Sequence, residues 1–307
     1  MEFNIVLHQV LILFIILAIG YVAGKCNILD SNGTKKLSEV LLYIAVPSMV
    51  FSSFFIELSQ ERLVNIAWML GFSFFMFIFS IIFSKLFFLK FNEQVNPILR
   101  FIAIFSNCGY MGIPLMKAIF GDEGAFYGSF YIVLFNVFVW SYGYMLFGGE
   151  NTKSELIKRV LFNPALISVY AGTIVFLLQI PIPEVVKGAV KTVGDTTMPL
   201  SMMIIGGVIS TEKLSSLFND WRVYLSAFVR LILMPVVAFF IALWAGVPSI
   251  PAAITVTALA MPAAANAAIF PKLFGGDAVF ASKCVAVTNL LSLITVPVIL
   301  SWVASHV

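Results

Sequence analysis

Ten runs of mostly apolar residues follow one another along the chain, near 4–24, 36–56, 64–89, 97–119, 124–148, 161–180, 185–209, 221–245, 250–273 and 278–304. About twenty such residues cross a bilayer as a helix. Between the runs no segment is long enough to fold as a soluble domain; the longest polar connection is "GGENTKSELIKR". Only 11% of the 307 residues are charged, against roughly 25% in soluble domains, too few to hydrate a globular surface. These features predict an all-α polytopic membrane protein with ten transmembrane helices. The first run has no basic residue ahead of it and continues too far for a cleaved secretion signal, so it reads as a retained span.

Several function classes fall away on residue content. Cys26, Cys108 and Cys284 follow no metal-ligand or disulfide spacing and read as small packing residues. The histidines, His8 and His306, lie too far apart in sequence to suggest a zinc site. The net charge of +3 comes from basic residues scattered through loops, which gives no nucleic-acid footprint. No G-x-x-x-x-G-K-[ST] occurs, so ATP is not a direct energy source. "VGD" at 193–195 lacks the G-x-G-D motif and second membrane aspartate of an intramembrane protease. The expectation is a non-enzyme with no cofactor and no metal.

Basic residues set the orientation. With the N-terminus outside, thirteen Lys and Arg fall in inner loops and four in outer ones, with Arg230 inside a span. Both termini are therefore expected outside, in a multi-pass protein of the cell membrane.

The chain also repeats itself. "LYIAVPSMVFSSF" and "GDTTMPLSMMIIG" carry mid-span prolines, Pro47 and Pro199, 152 residues apart. "IFGDEGAFYGSF" and "LFGGDAVFASKC" share a Phe-Gly turn, an acidic residue and a following Phe at an offset of 154. Both offsets are about half the chain, so the two halves, 1–150 and 151–307, read as copies of one five-span unit. Five is odd, so the second copy enters the membrane from the opposite side, as in the inverted repeats of many secondary transporters.

The fourth span of each copy is disrupted at the same depth. In the first copy Asn107, Gly109, Gly112 and Pro114 interrupt the apolar run; in the second, Pro262 and Asn266 stand among alanines. Proline removes a backbone donor and crowds the preceding turn, and glycine lowers the cost of non-helical angles. Freed N–H and C=O groups in hydrocarbon cost several kcal/mol each unless protein or a wet cavity satisfies them. The pattern predicts two discontinuous helices meeting near the midplane, with helix N-termini and amides offered to an anion. Proline kinks that merely aid packing are the alternative.

Other polar residues extend the candidate set. Asp195, read as well inside the seventh span, is either a proton carrier or charge partner, or a group solvated near the outer water layer. Arg230, some nine residues into the eighth span, either balances an anionic substrate or snorkels to the inner interface near Arg222. Asn136 and the pair Thr288 and Asn289 occupy nearly equivalent repeat positions, suited to lining the crossover or to interhelical bonding. Ser106, Thr255 and Thr257 are candidates for satisfying broken backbone, and Glu39 for an interfacial pair with Lys35 or Lys36. Gly20/Gly24 and Gly124/Gly128 fit small-xxx-small packing.

"NCGYMGIPL", "MPAAANAAIF" and "GGDAVFASKCVAVTNLLSLITVP" together resemble the auxin efflux carrier family, whose members include plant auxin carriers and bacterial permeases for malate or malonate. The resemblance covers essentially the whole chain. It implies two inverted five-helix repeats, with spans 4 and 9 crossing as broken helices. It further implies a scaffold of spans 1, 2, 6 and 7, and a moving unit of spans 3–5 and 8–10. The family's crossover positions carry over onto Asn107, Pro114, Pro262 and Asn266. The chain lacks the long central loop of regulated plant members, which favours a bacterial-style organic acid carrier over an auxin carrier. The expected function is alternating-access transport of small mono- or dicarboxylates; proton coupling is one option, and the sequence does not give the coupling ion. Expected partners are the organic acid, the bilayer and a second copy of the chain. A sodium-coupled symporter of the bile acid type and a membrane sensor without turnover are the alternatives.

Overall fold

The computed structural model describes residues 3–149, 153–211 and 219–304, and these are helical almost throughout. Twelve helices can be traced in the described residues: α1 Phe3–Lys25, α2 31–52, α3 Gln60–Phe87, α4 Asn96–Ile104, α5 Cys108–Gly143, α6 Lys153–Leu161, α7 Pro164–Leu178, α8 Glu184–Ser210, α9 Trp221–Trp244, α10 Ser249–Ala260, α11 Asn266–Phe274 and α12 Ala278–Ala304. By length and composition, α3, α5, α8, α9 and α12 are each able to cross a membrane, and α7 and α10 are shorter apolar helices. The outer surface carries large apolar side chains such as Val185, Trp244 and Ile294, which suits hydrocarbon and not water. The protein is a polytopic helical membrane protein.

Proline shapes the helices in a regular way. Widened turns stand at Leu41–Ala45, Cys108–Gly112, Val139–Gly143 and Val229–Leu233. The first, second and fourth end two residues before Pro47, Pro114 and Pro235. A proline cannot donate to the carbonyl four residues back and its ring crowds that carbonyl, so the turn ahead of it opens and the helix continues. α5 is bent by a different device. Gly121 adopts φ 68° and ψ −156°, a conformation that residues with a Cβ rarely reach, and it splits α5 into arms 108–120 and 122–143.

Glycines also set how closely helices approach. A Cβ on Gly20 would sit 2.4 Å from the Met203 carbonyl oxygen, and one on Gly206 would sit 2.1 Å from that of Leu17. Backbone of α1 and the second half of α8 therefore meet directly. The pattern at Gly20 and Gly24 is packing, as the spacing predicts; Gly124 packs instead within its own helix, against the Met116 carbonyl. α2 lies against α7 and the first half of α8, while α3, α5, α9, α10 and α12 pack on one another. Within that second group, a bond of 3.0 Å between Ser73 Oγ and Thr255 Oγ1 ties α3 to α10.

Candidate functional site

Both interrupted runs do break, and the two breaks meet. α4 stops at Ile104 and Phe105 turns extended, at φ −106° and ψ 111°. α10 stops at Ala260, and Met261 is extended at φ −66° and ψ 149°. The released segments cross antiparallel, with Ser106 opposite Ala263. Asn107 N–H donates to the Pro262 carbonyl at 2.7 Å, and Ala264 N–H to that of Phe105 at 3.0 Å. Ala263 N–H donates to Thr288 Oγ1 at 3.3 Å. Each broken helix thus satisfies part of the other's backbone, which is how irregular chain is tolerated at membrane depth.

The carbonyl ends of α4 and α10 have a different partner. Arg230, in the widened turn of α9, is 0% exposed. Its Nε donates to the Met261 carbonyl at 3.1 Å, Nη1 to Ala103 at 3.0 Å and Nη2 to Leu259. One guanidinium therefore serves both helix ends, and Arg230 does not snorkel. Its five donors in a rigid plane suit acceptors that arrive from several directions.

On the opposite side of each break a helix starts. Met111 and Gly112 N–H groups both reach back to the Asn107 carbonyl, at 3.2 and 3.1 Å. The N–H groups of Gly109 and Tyr110 precede those first bonds and belong to the orphan set of a helix start. A Cβ on Gly109 would meet nothing within 4 Å, so this backbone is accessible. Gly112 and Pro114 are buried behind it and set the turn; they do not line a cavity.

Two cavities open on these helix starts. One, of about 330 Å³, is lined by Asn107, Gly109, Tyr110, Asn136, Asn163 and Asn266 among others. A second, of about 470 Å³, shares Asn107, Tyr43 and Tyr110 and extends past Asn289 to Lys35, Glu39 and Ser282. Of the expected residues, Asn107, Gly109, Asn136 and Asn266 come together at the first cavity, and Asn107 and Asn289 at the second. Pro262 contributes its carbonyl to the crossing and not a cavity surface. Asn289 Nδ2 donates to the Val285 carbonyl at 2.8 Å, while its buried Oδ1 has no partner in the described residues. Thr257 Oγ1 is likewise buried without a partner and repairs no backbone break. Glu39 forms no interfacial ion pair among the described residues; it stands at the mouth of the second cavity with Lys35.

Sequence reading missed Asn163, Tyr43 and Tyr110. Asn163 Oδ1 caps α7 at Ala165 N–H, and its Nδ2 donates to Asn136 Oδ1 at 3.0 Å. Its signal was present: Asn followed by Pro is a helix start. The tyrosines carried no such mark.

Asp195 lies within the apolar helix Glu184–Ser210. Its side chain is 54% exposed and pairs with Lys117 Nζ at 2.7 Å. Lys117 also lies 3.8 Å from Asp122, and Lys191 bonds Asp122 at 3.5 Å. Asp195 is part of a charged cluster with Lys117, Asp122 and Lys191, none of which lines either cavity.

A family model described as membrane transport protein matches residues 5–159 and 151–300. An "Uncharacterized transporter" of Methanocaldococcus jannaschii is 24% identical over 94% of this chain and 95% of its own length. Another of Methanothermobacter thermautotrophicus is 24% identical over 94% and 96%. A "Putative malonate transporter" of Rhizobium meliloti is 22% identical over 96% and 95%.

Proposed function

The chain belongs to the membrane transport protein family, and we propose that what it carries is a small organic anion, a mono- or dicarboxylate, by alternating access. The observation that carries this reading is the crossing at Ser106 and Ala263. Two helix starts and the amides of Asn107 and Asn266 surround one cavity there. Helix N-termini bear about half a positive charge each and favour anions. Amides add donors for a carboxylate without adding a charge of their own. The relative named for malonate is consistent with this substrate class.

In this reading α4 with the first arm of α5, and α10 with α11, are the two broken crossing helices of ten spans. The two halves of the chain are inverted copies. Both cavities reach Lys35, Ser282 or Asn163, at the ends of helices that the basic-residue count assigns to the cytoplasm. The conformation is then one open to the inside, with the Lys117–Asp195 end closed.

Proteoliposomes test it. Uptake of labelled carboxylates from a panel, with and without proton and sodium gradients, is the expected outcome, and carboxamide analogues compete poorly. Asn107→Ala or Asn266→Ala removes a donor and leaves neighbouring polar groups unpaired, at about 1–3 kcal/mol. That is roughly five- to 150-fold weaker binding. Folded mutants that bind the acid as tightly as the parent would place the site elsewhere, and binding without counterflow would make the protein a sensor.

A further inference from the structure

The two carbonyl ends at the crossing present a chemical problem of their own. Each helix C-terminus carries about half a negative charge, and α4 and α10 aim two of them into one buried region, where Ala103, Leu259 and Arg230 are at most 2% exposed. In a protein with an uncharged residue at position 230, those oxygens would form a ready site for a small metal cation, since backbone carbonyls are hard oxygen ligands. Here Arg230 holds that place. Its guanidinium bonds Ala103, Leu259 and Met261 carbonyls, and no carboxylate pairs with it among the described residues. Its one positive charge matches the summed charge of the two helix ends.

We propose that Arg230 is a resident counter-cation, built into the chain where the crossing would otherwise hold a free alkali cation. It cancels the negative ends behind the crossing and leaves the positive ends, at Gly109 and Asn266, uncompensated on the cavity side. Arg230 thereby makes the site anion-selective without a co-bound metal ion. It is a positioning and field-setting residue, since it lines neither cavity. The inference deepens the anion-carrier reading and rests on it for selectivity. The occupancy of the carbonyl site by a guanidinium does not depend on that reading.

The unmodified protein is tested first. Uptake of a carried acid should be unchanged when sodium is replaced by potassium or choline at constant pH, and sodium should not raise the melting temperature in detergent. A requirement for sodium in either assay overturns the proposal. Arg230→Ala then empties the site. Its uptake should fall at least about tenfold, the effect of one lost interaction of ordinary strength. Millimolar guanidinium should restore much of the rate and raise the melting temperature of the variant, because it is charged, planar and the same shape as the missing group. Urea has that shape without the charge and should do neither. Equal rescue by urea, or a variant as active and as stable as the parent, reduces Arg230 to a space-filling residue and overturns the idea. Arg230→Lys, which keeps the charge on a compact head with three donors, should retain intermediate activity even if the alanine variant does not fold; loss as complete as that of Arg230→Met counts against a charge role. If no acid on the panel is carried, the anion reading fails, while the melting-temperature arms still decide whether a cation belongs at this place.

Discussion

The two ends of the crossing are built from different chemistry. Towards Asn163 the helix starts open into cavities lined by neutral amides, and one neutral hydrogen bond, Asn163 to Asn136, links α7 to α5. Towards Lys117 the link is charged: Lys117–Asp195 and Lys191–Asp122 join α5 to α8. Asp195, Asp122 and Lys191 are substantially exposed, at 54%, 46% and 57%, while Lys117 is largely covered, at 18%. Exposed pairs contribute only about 0.2–1 kcal/mol each. On the proposed alternating-access reading, an end held by such pairs is easily released, whereas buried apolar packing would lock it shut.

Reversing Lys117 should break the comparison most strongly. Lys117→Glu turns attraction to Asp195 and Asp122 into repulsion, worth about 1–3 kcal/mol if each exposed pair is lost and opposed in kind. The population open at the Asn163 end should fall roughly five- to 150-fold. A single cysteine at Gly109, where added atoms meet open space, in a background lacking Cys26, Cys108 and Cys284, reports it through labelling rate. An unchanged rate would mean that the charged cluster is surface decoration.

At the other end Asn136→Ala should act in the same direction and less strongly. It removes the bond from Asn163 and the asparagine's own bond to the Ile132 carbonyl at 2.9 Å. One net hydrogen bond is worth about 0.5–1.5 kcal/mol, so labelling at position 109 should slow by roughly two- to thirteenfold. A larger effect here than for Lys117→Glu would invert the assignment of the controlling end.

These two ends were unequally legible in the sequence. The breaks were visible, because glycine, proline and asparagine inside an apolar run have a local physical meaning at each position. Asn107, Asn266 and their neighbours followed from that alone. Arg230 was not legible: its three acceptors lie 127, 29 and 31 residues away, and nothing near "FVRLIL" distinguishes a buried guanidinium from one that reaches for water. The partner of Asp195 was not legible for a related reason: Lys117 lies 78 residues away on another helix.

The smallest effect is expected at Asp195, where a proton-carrying role and a closing role part company. Asp195→Asn deletes one exposed charge pair but leaves an amide oxygen that accepts from Lys117. The loss is at the low end of the exposed-pair range, about 0.2–1 kcal/mol, or up to roughly fivefold in the open population. Labelling at position 109 should slow by no more than that, and the pH profile of uptake should keep its shape if Asp195 acts only through its pair with Lys117. Lys117→Gln removes the same pair from the other side, and also the weaker contact with Asp122, so its shift should equal or exceed that of Asp195→Asn. A flattened pH profile for Asp195→Asn, with Lys117→Gln leaving the profile intact, would instead show that the carboxylate itself carries the proton, and the charged end would then couple transport as well as close it.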